Sequence, residues 1–226
     1  AQAKAVGDWL RENDLAEHER HFVSPYARAL ETAALLDLPN AKWNLDFRLR
    51  ERDHGSVDII QNDLRQERMA DYVRSLNGRP YHHFYTPMPN GESIADVCTR
   101  LRSRIRTLEK YQYGENGRAI IVAHGDVIKA FRVIFEKILP DHFHELIKKN
   151  SSDFRVGNGQ IIHYTRKDPF STNFECKHYD RFRWVRSINP WNPQYAGHDW
   201  WEIPSGTYSN KELLALAKRS KRLVAE

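Results

Sequence analysis

The chain has 226 residues, 40% of them hydrophobic and 12% aromatic, enough for one domain with a sizeable core plus an extension. Its net charge is +5, and no apolar run approaches the roughly 20 residues of a membrane-spanning helix. The two cysteines, Cys98 and Cys176, form neither a C-x-x-C pair nor a zinc pattern, which excludes a disulfide framework and predicts unpaired thiols in a reducing, cytoplasmic setting.

The chain opens inside a helical pattern, with Val6, Trp9 and Leu10 at helical spacing and no capping residue ahead of them. That start predicts that residues precede Ala1 in the natural protein. His21-Phe22-Val23 reads as a short strand. A helix then runs to Leu35, with Ser24 as its predicted N-cap and Pro25 at its first position. Asp37 to Gly55 is irregular. Residues 56–92 are polar, partly helical around Asp63 to Leu76, and end in Pro80, Pro87, Pro89 and Gly91, the pattern of a lid-like insertion. From Ser93 to about Tyr111 a stripe of Ile94, Val97, Cys98, Leu101, Ile105 and Leu108 predicts a long helix. Ala119 to Ala123 is wholly apolar and reads as a strand buried on both faces. His124-Gly125-Asp126 ends it, and a helix carrying Val127, Ile128, Phe131, Ile134 and Phe135 stops before Pro140. Gln160 to Tyr164 reads as a further strand.

Helices alternating with strands predict an α/β fold, a three-layer α/β/α sandwich around a mostly parallel sheet. The expected organisation is a domain over 1–168 and an extension over 169–226. The extension holds four of the six tryptophans. From Cys176 onward it carries nine Lys/Arg against five Asp/Glu.

Ligands of open α/β sheets sit beyond the carboxyl ends of the strands, and two such ends carry polar chemistry. At Ser24, a helix start offers free N–H groups to an anion, and Arg28, one turn in, offers a guanidinium matched to phosphate oxygens. Taken alone, this is better read as a capped helix with a solvated arginine. At His124, an imidazole ends a strand and Gly125 permits close approach of a ligand; alone, it fits a hydrogen-bonded packing histidine. Glu51, in the charged loop Leu49 to Gly55, is positioned to protonate a leaving oxygen or belongs to a surface charge cluster.

In combination, S-P-Y-x-R-A-x-E-T-A, L-R-E-R-D-x-G, N-G-E-S-x-A-D-V and I-I-V-A-H-G occur in order over Ala1 to Tyr164, and the chain resembles the histidine phosphatase (phosphoglycerate mutase-like) superfamily. The resemblance implies a metal-independent enzyme without cofactor that hydrolyses a small phosphomonoester through a phosphohistidine. Mutase chemistry, or a phosphate- or partner-binding domain without a nucleophile, is the alternative. It implies that Arg28 binds the phosphate, that His124 binds and stabilises the transferring phosphoryl group, and that Glu51 donates the proton; Ser24, at the helix start, is expected to bind the phosphate with them. It also calls for a nucleophile in an Arg-His-Gly sequence at the end of a first, central strand. Residues 1–226 contain no Arg-His-Gly, and Arg20-His21-Phe22 is a poor substitute. The nucleophile is therefore expected upstream of Ala1.

The expected partner is a phosphorylated small molecule. Neither nucleic acid nor membrane is expected, and the sequence leaves a homodimer open. His82-His83 and His142-x-His144 have no third ligand that the sequence can place, so they are expected to be solvated or packing residues and no metal is expected. The basic helix from Lys211 to Leu223 is expected to dock on the domain. Phe182 and Trp184, among arginines, are expected to pack.

Overall fold

The computed structural model describes the chain except residues 59–63, 65, 66, 68, 69, 71, 73, 75, 77–80, 111–116, 152, 153, 172–180, 196–198 and 220–226. Most of the lid-like segment therefore lies outside the described residues, as does Cys176.

Three parallel strands carry the domain: β1 (Arg20–Val23) in the middle, β2 (Trp43–Leu45) on one side and β3 (Ala119–Val122) on the other. β1 pairs directly with β3, Arg20 opposite Ala119 and Val23 opposite Val122. The ladder continues past the strand, because the Ser24 N–H donates to the Val122 carbonyl at 3.0 Å. Ser24 and His124 therefore leave the sheet side by side.

Strand alternation divides the two faces. Phe22 and Ile121 point into one core with Val97, Leu101, Val127 and Phe131 of α4 (Ile94–Lys110) and α5 (Gly125–Phe135). Val23, Ile120 and Val122 point the other way, toward Val6 and Leu10 of α1 (Gln2–Glu12) and Ala29 and Ala33 of α2 (Ala27–Leu35). Helices thus cover both faces, as the alternating pattern predicts. The apolar strand β3 is less buried than predicted: Ala119 is exposed and its neighbours are half-buried, and among the described residues β3 lies at the edge of this sheet. The helix predicted to stop before Pro140 ends at Phe135. Pro140 instead opens α6 (Pro140–Lys148), where its missing N–H costs no hydrogen bond.

A second, antiparallel sheet joins β4 (Ile161–Thr165), β5 (Trp184–Ile188) and β6 (Trp201–Glu202). It is tied to α5 by a buried polar knot. Arg132 Nε donates to Glu136 Oε1 at 2.7 Å, and the Tyr164 hydroxyl of β4 donates to the same oxygen at 2.8 Å. Phe182 packs against Phe135 and Tyr164, and Trp184 against Phe170, as packing residues would. The basic helix α7 (Asn210–Arg219) leaves Leu213 and Leu214 50% and 65% exposed and Leu216 half-buried, and the end of the predicted helix lies outside the described residues. Among the described residues no helix is long and apolar enough to cross a membrane.

Candidate active site

The two strand ends meet in a chain of three side chains. Arg28 Nε donates to His124 Nδ1 at 3.2 Å, and His124 Nε2 lies 2.7 Å from Ser24 Oγ. Arginine can only donate, so Nδ1 is the acceptor and the imidazole proton sits on Nε2, directed at Ser24. Ser24 is fully buried and His124 only 6% exposed. Burial, helped by the positive charges of Arg28 and Arg100, lowers the His124 pKa to about 4, so the ring is neutral near pH 7. In front of Gly125 there is open space rather than protein: a Cβ there would meet no atom within 4 Å.

Ser24 is not the N-cap that the sequence suggests. α2 begins at Ala27, and its cap position is Tyr26, whose backbone is extended at φ −73 and ψ 135. Ser24 Oγ instead accepts the Tyr26 N–H at 3.4 Å and faces His124. Its contact with the imidazole draws it into the turn, so two residues pass before the helix starts. Arg28 then lies in the first turn of α2, and its guanidinium is 5.3 Å from the Tyr26 ring centroid.

Glu51 comes to the same place from another loop. Its Oε1 accepts the Arg52 N–H at 2.9 Å. Burial pushes its carboxyl above the ordinary carboxylate range. The Arg52 N–H pulls it back, Asp126 pushes it further up, and Arg28 and His54 lower it. The net effect raises the carboxyl, so it holds its proton to higher pH than an ordinary glutamate, as a general acid needs.

Glu92 and Arg100 fix that loop, and sequence reasoning assigned neither a role. Arg50 Nη2 donates to Glu92 Oε1 at 2.7 Å, Arg100 Nε to the same oxygen at 2.9 Å, and the Asp53 N–H to Glu92 Oε2 at 3.1 Å. Arg100 also donates to the carbonyls of Arg48 and Arg50. Two glycines let the loops close. Gly55, at φ +56, would put a Cβ 2.2 Å from the Pro89 carbonyl, and a Cβ on Gly91 would lie 2.5 Å from the Asp53 carbonyl. The signal was present in N-G-E-S, whose glycine and glutamate both act here. Ser93 and Asp96, three residues apart, cap α4 reciprocally.

Beside the Glu51 loop is a cavity of roughly 250 Å³, with Arg52, His54, His83, Asp126 and Lys129 in its wall. Asp126 is held below its ordinary range: burial alone would raise it, but Lys129, Arg52 and His54 outweigh that. Arg52 Nη1 is 3.4 Å from Asp126 and Lys129 Nζ is 3.0 Å from it.

The model of the histidine phosphatase superfamily (branch 1) matches residues 1–157. The chain belongs to that superfamily. Among curated proteins, the 2,3-bisphosphoglycerate-dependent phosphoglycerate mutase of Rhizobium etli is 30% identical over 122 residues, covering 52% of this chain. The chain spans 56% of that relative's length. Among solved structures, a mycobacterial glucosyl-3-phosphoglycerate phosphatase with inorganic phosphate is similar at TM-score 0.53 and 24% identity, over 64% of this chain and 70% of its own. Mycobacterial hydrolase 2 has TM-score 0.53 at 20% identity, over 97% and 84%. Bacillus stearothermophilus YhfR has TM-score 0.51 at 26% identity, over 63% and 67%. The histidine phosphatase match ends before β4, so the antiparallel sheet lies outside it.

The geometry brings the four expected residues together: Ser24, Arg28 and His124 by direct contact, and Glu51 within electrostatic reach of Arg28. It also assembles a group that the sequence offered only in pieces. His82 and His83, at the start of α3 (His82–Tyr85), meet His144 of α6, with their ligand atoms all within 4.8 Å of one another.

Proposed function

We propose that this protein is a phosphatase that hydrolyses a small phosphomonoester, with Arg28, Ser24 and His124 receiving the phosphoryl group and Glu51 protonating the leaving oxygen. The observation that carries this is the neutral His124 held between Arg28 and Ser24, with Arg28 also within electrostatic reach of Glu51, whose carboxyl burial holds above its ordinary range. Phosphoryl transfer needs positioned positive charge and donors around the equatorial oxygens more than covalent machinery. The Arg28 guanidinium and the Nε2–H of His124 are such donors. An incoming phosphate dianion counters the charges of Arg28 and Arg100, which help to hold His124 neutral, so the ring can take up a proton as negative charge arrives.

In this reading a histidine nitrogen attacks phosphorus as the ester P–O bond breaks, and the leaving oxygen takes the Glu51 proton. Water then attacks the phosphohistidine and returns a proton to Glu51. The attacking histidine belongs to the family's Arg-His-Gly sequence, which residues 1–226 do not contain. Assays therefore use the full-length natural protein.

The 30% identity to a phosphoglycerate mutase favours a second reading, in which the phosphoryl group passes to another substrate oxygen instead of water. Label tracing separates the two. With a ³²P-labelled phosphomonoester that also carries a free hydroxyl, the label is expected in inorganic phosphate. Label recovered on the second hydroxyl makes the protein a mutase, and label that never leaves its original position overturns both readings.

A further inference from the structure

We propose that His82, His83 and His144 form a binding site for a transition-metal dication of the zinc class. Two independent segments supply the ligands, and apolar packing presets their approach. Phe84 of α3 and Phe143 of α6 are both buried, with ring centroids 5.5 Å apart in an edge-to-face contact. Each is the chain neighbour of one of the histidines, so the contact that docks α3 on α6 also gathers the imidazoles. The ring centroids are 4.1 Å apart for His82 and His83, and 4.9 Å for each of these with His144.

The donor chemistry selects the ion. Three imidazoles with no carboxylate or thiolate suit zinc and its borderline neighbours, whereas calcium and magnesium require oxygen ligands. Imidazole nitrogens about 2.0–2.1 Å from a tetrahedral zinc lie about 3.3 Å apart. The ligand atoms here are within 4.8 Å of one another, so a closing of up to about 1.5 Å by side-chain rotation completes the set. Arg52 and Lys148 act on His83 with positive charge and oppose a cation, so the imidazole donors must outweigh them. Three protein ligands leave a fourth position for water. A bound ion staples α3, from the segment over 56–92, to α6 in the body of the domain.

The test is uptake of zinc alone by the full-length natural protein after chelator treatment, followed by isothermal titration and by thermal melting. One equivalent is expected to bind, and zinc is expected to raise the melting midpoint, as any ligand of the folded state does. His144→Ala is expected to weaken binding by more than about 100-fold, the upper range for losing even a supporting partner of a ligand. Its midpoint without metal should stay near that of the parent, and the zinc-dependent rise should vanish. His142→Ala, on the exposed side of the same helix, is expected to bind as the parent does. Cobalt(II) at the same site is expected to give the visible absorption of a four-coordinate ion. If His144→Ala does not fold, His82→Gln serves in the same comparison. No uptake, or uptake equal in the parent and in every one of these variants, overturns the site. The readout is binding and requires no turnover, so it stands or falls separately from the phosphatase reading.

Discussion

Glu51→Gln is expected to lower turnover of an alkyl phosphate by about 100-fold to 10,000-fold, the range for a lost general acid, and to lower turnover of a p-nitrophenyl ester far less. Glutamine keeps the shape and can still accept the Arg52 N–H that Glu51 Oε1 receives at 2.9 Å, but it has no proton to give. An alkoxide needs that proton as it leaves, whereas p-nitrophenolate is stable without it. Glutamine is neutral, as is the acid form of Glu51 that reacts, so KM is expected to change little. The pH dependence carries a sign. Burial raises the Glu51 pKa, so the acid form persists to higher pH than for an ordinary glutamate and activity is lost as pH rises past that value. That alkaline limb is expected to disappear in Glu51→Gln. Equal losses with both esters, or an unchanged alkaline limb, would remove Glu51 from the reaction.

The largest expected effect on stability comes from Glu136→Ala. Arg132 and Glu136 form a 2.7 Å ion pair with side chains 4% and 8% exposed, and Tyr164 binds the same carboxylate. Removing the carboxylate takes away the ion-pair partner of a buried guanidinium and the acceptor of the Tyr164 hydroxyl, a loss of about 3–5 kcal/mol. For a domain of this size that lowers the melting midpoint by about 6–20 °C. Tyr164→Phe, which deletes one hydroxyl and leaves the ion pair, should cost only about 1 kcal/mol. The contrast follows from position: Glu136 ties the antiparallel sheet to α5, whose first residue follows His124. A Glu136→Ala protein that melts with the parent would show that the knot holds nothing.

Much of this was legible because it is local. The strand–turn–helix units ending at Ser24 and His124 announce themselves by a short apolar run and a change of period, and parallel pairing then sets the two ends side by side. Those junctions marked Ser24, Arg28 and His124 as candidates, and the four motifs in order gave them their expected roles. Other features depend on contacts between distant segments. Nothing within A-I-I-V tells a central strand from an edge strand; the order β2-β1-β3 decides that. The strand W-V-R-S-I mixes arginine and tryptophan, which hides its alternation until β4 pairs with it. The hydroxyl of Ser24 had two uses, capping a helix or facing an imidazole 100 residues away, and burial with His124 selected the second. Glu92, Arg100 and the three clustered histidines act across gaps of about 40 to 60 residues that no local pattern spans. α7 leaves Leu213 and Leu214 of its apolar stripe exposed, since periodicity shows that a helix has an apolar face but not what covers it.

The assignment of the two strand ends as a phosphate site rests on His124 above all. Phosphate release from an aryl phosphate by the full-length natural protein, compared with His124→Ala, puts it to the test. Losing the Nε2–H donor at the transferring phosphoryl group is expected to slow release by about 100-fold to 1,000-fold, the range seen when one preorganised donor is removed from a reaction site. Equal rates in the two proteins would contradict the site described here.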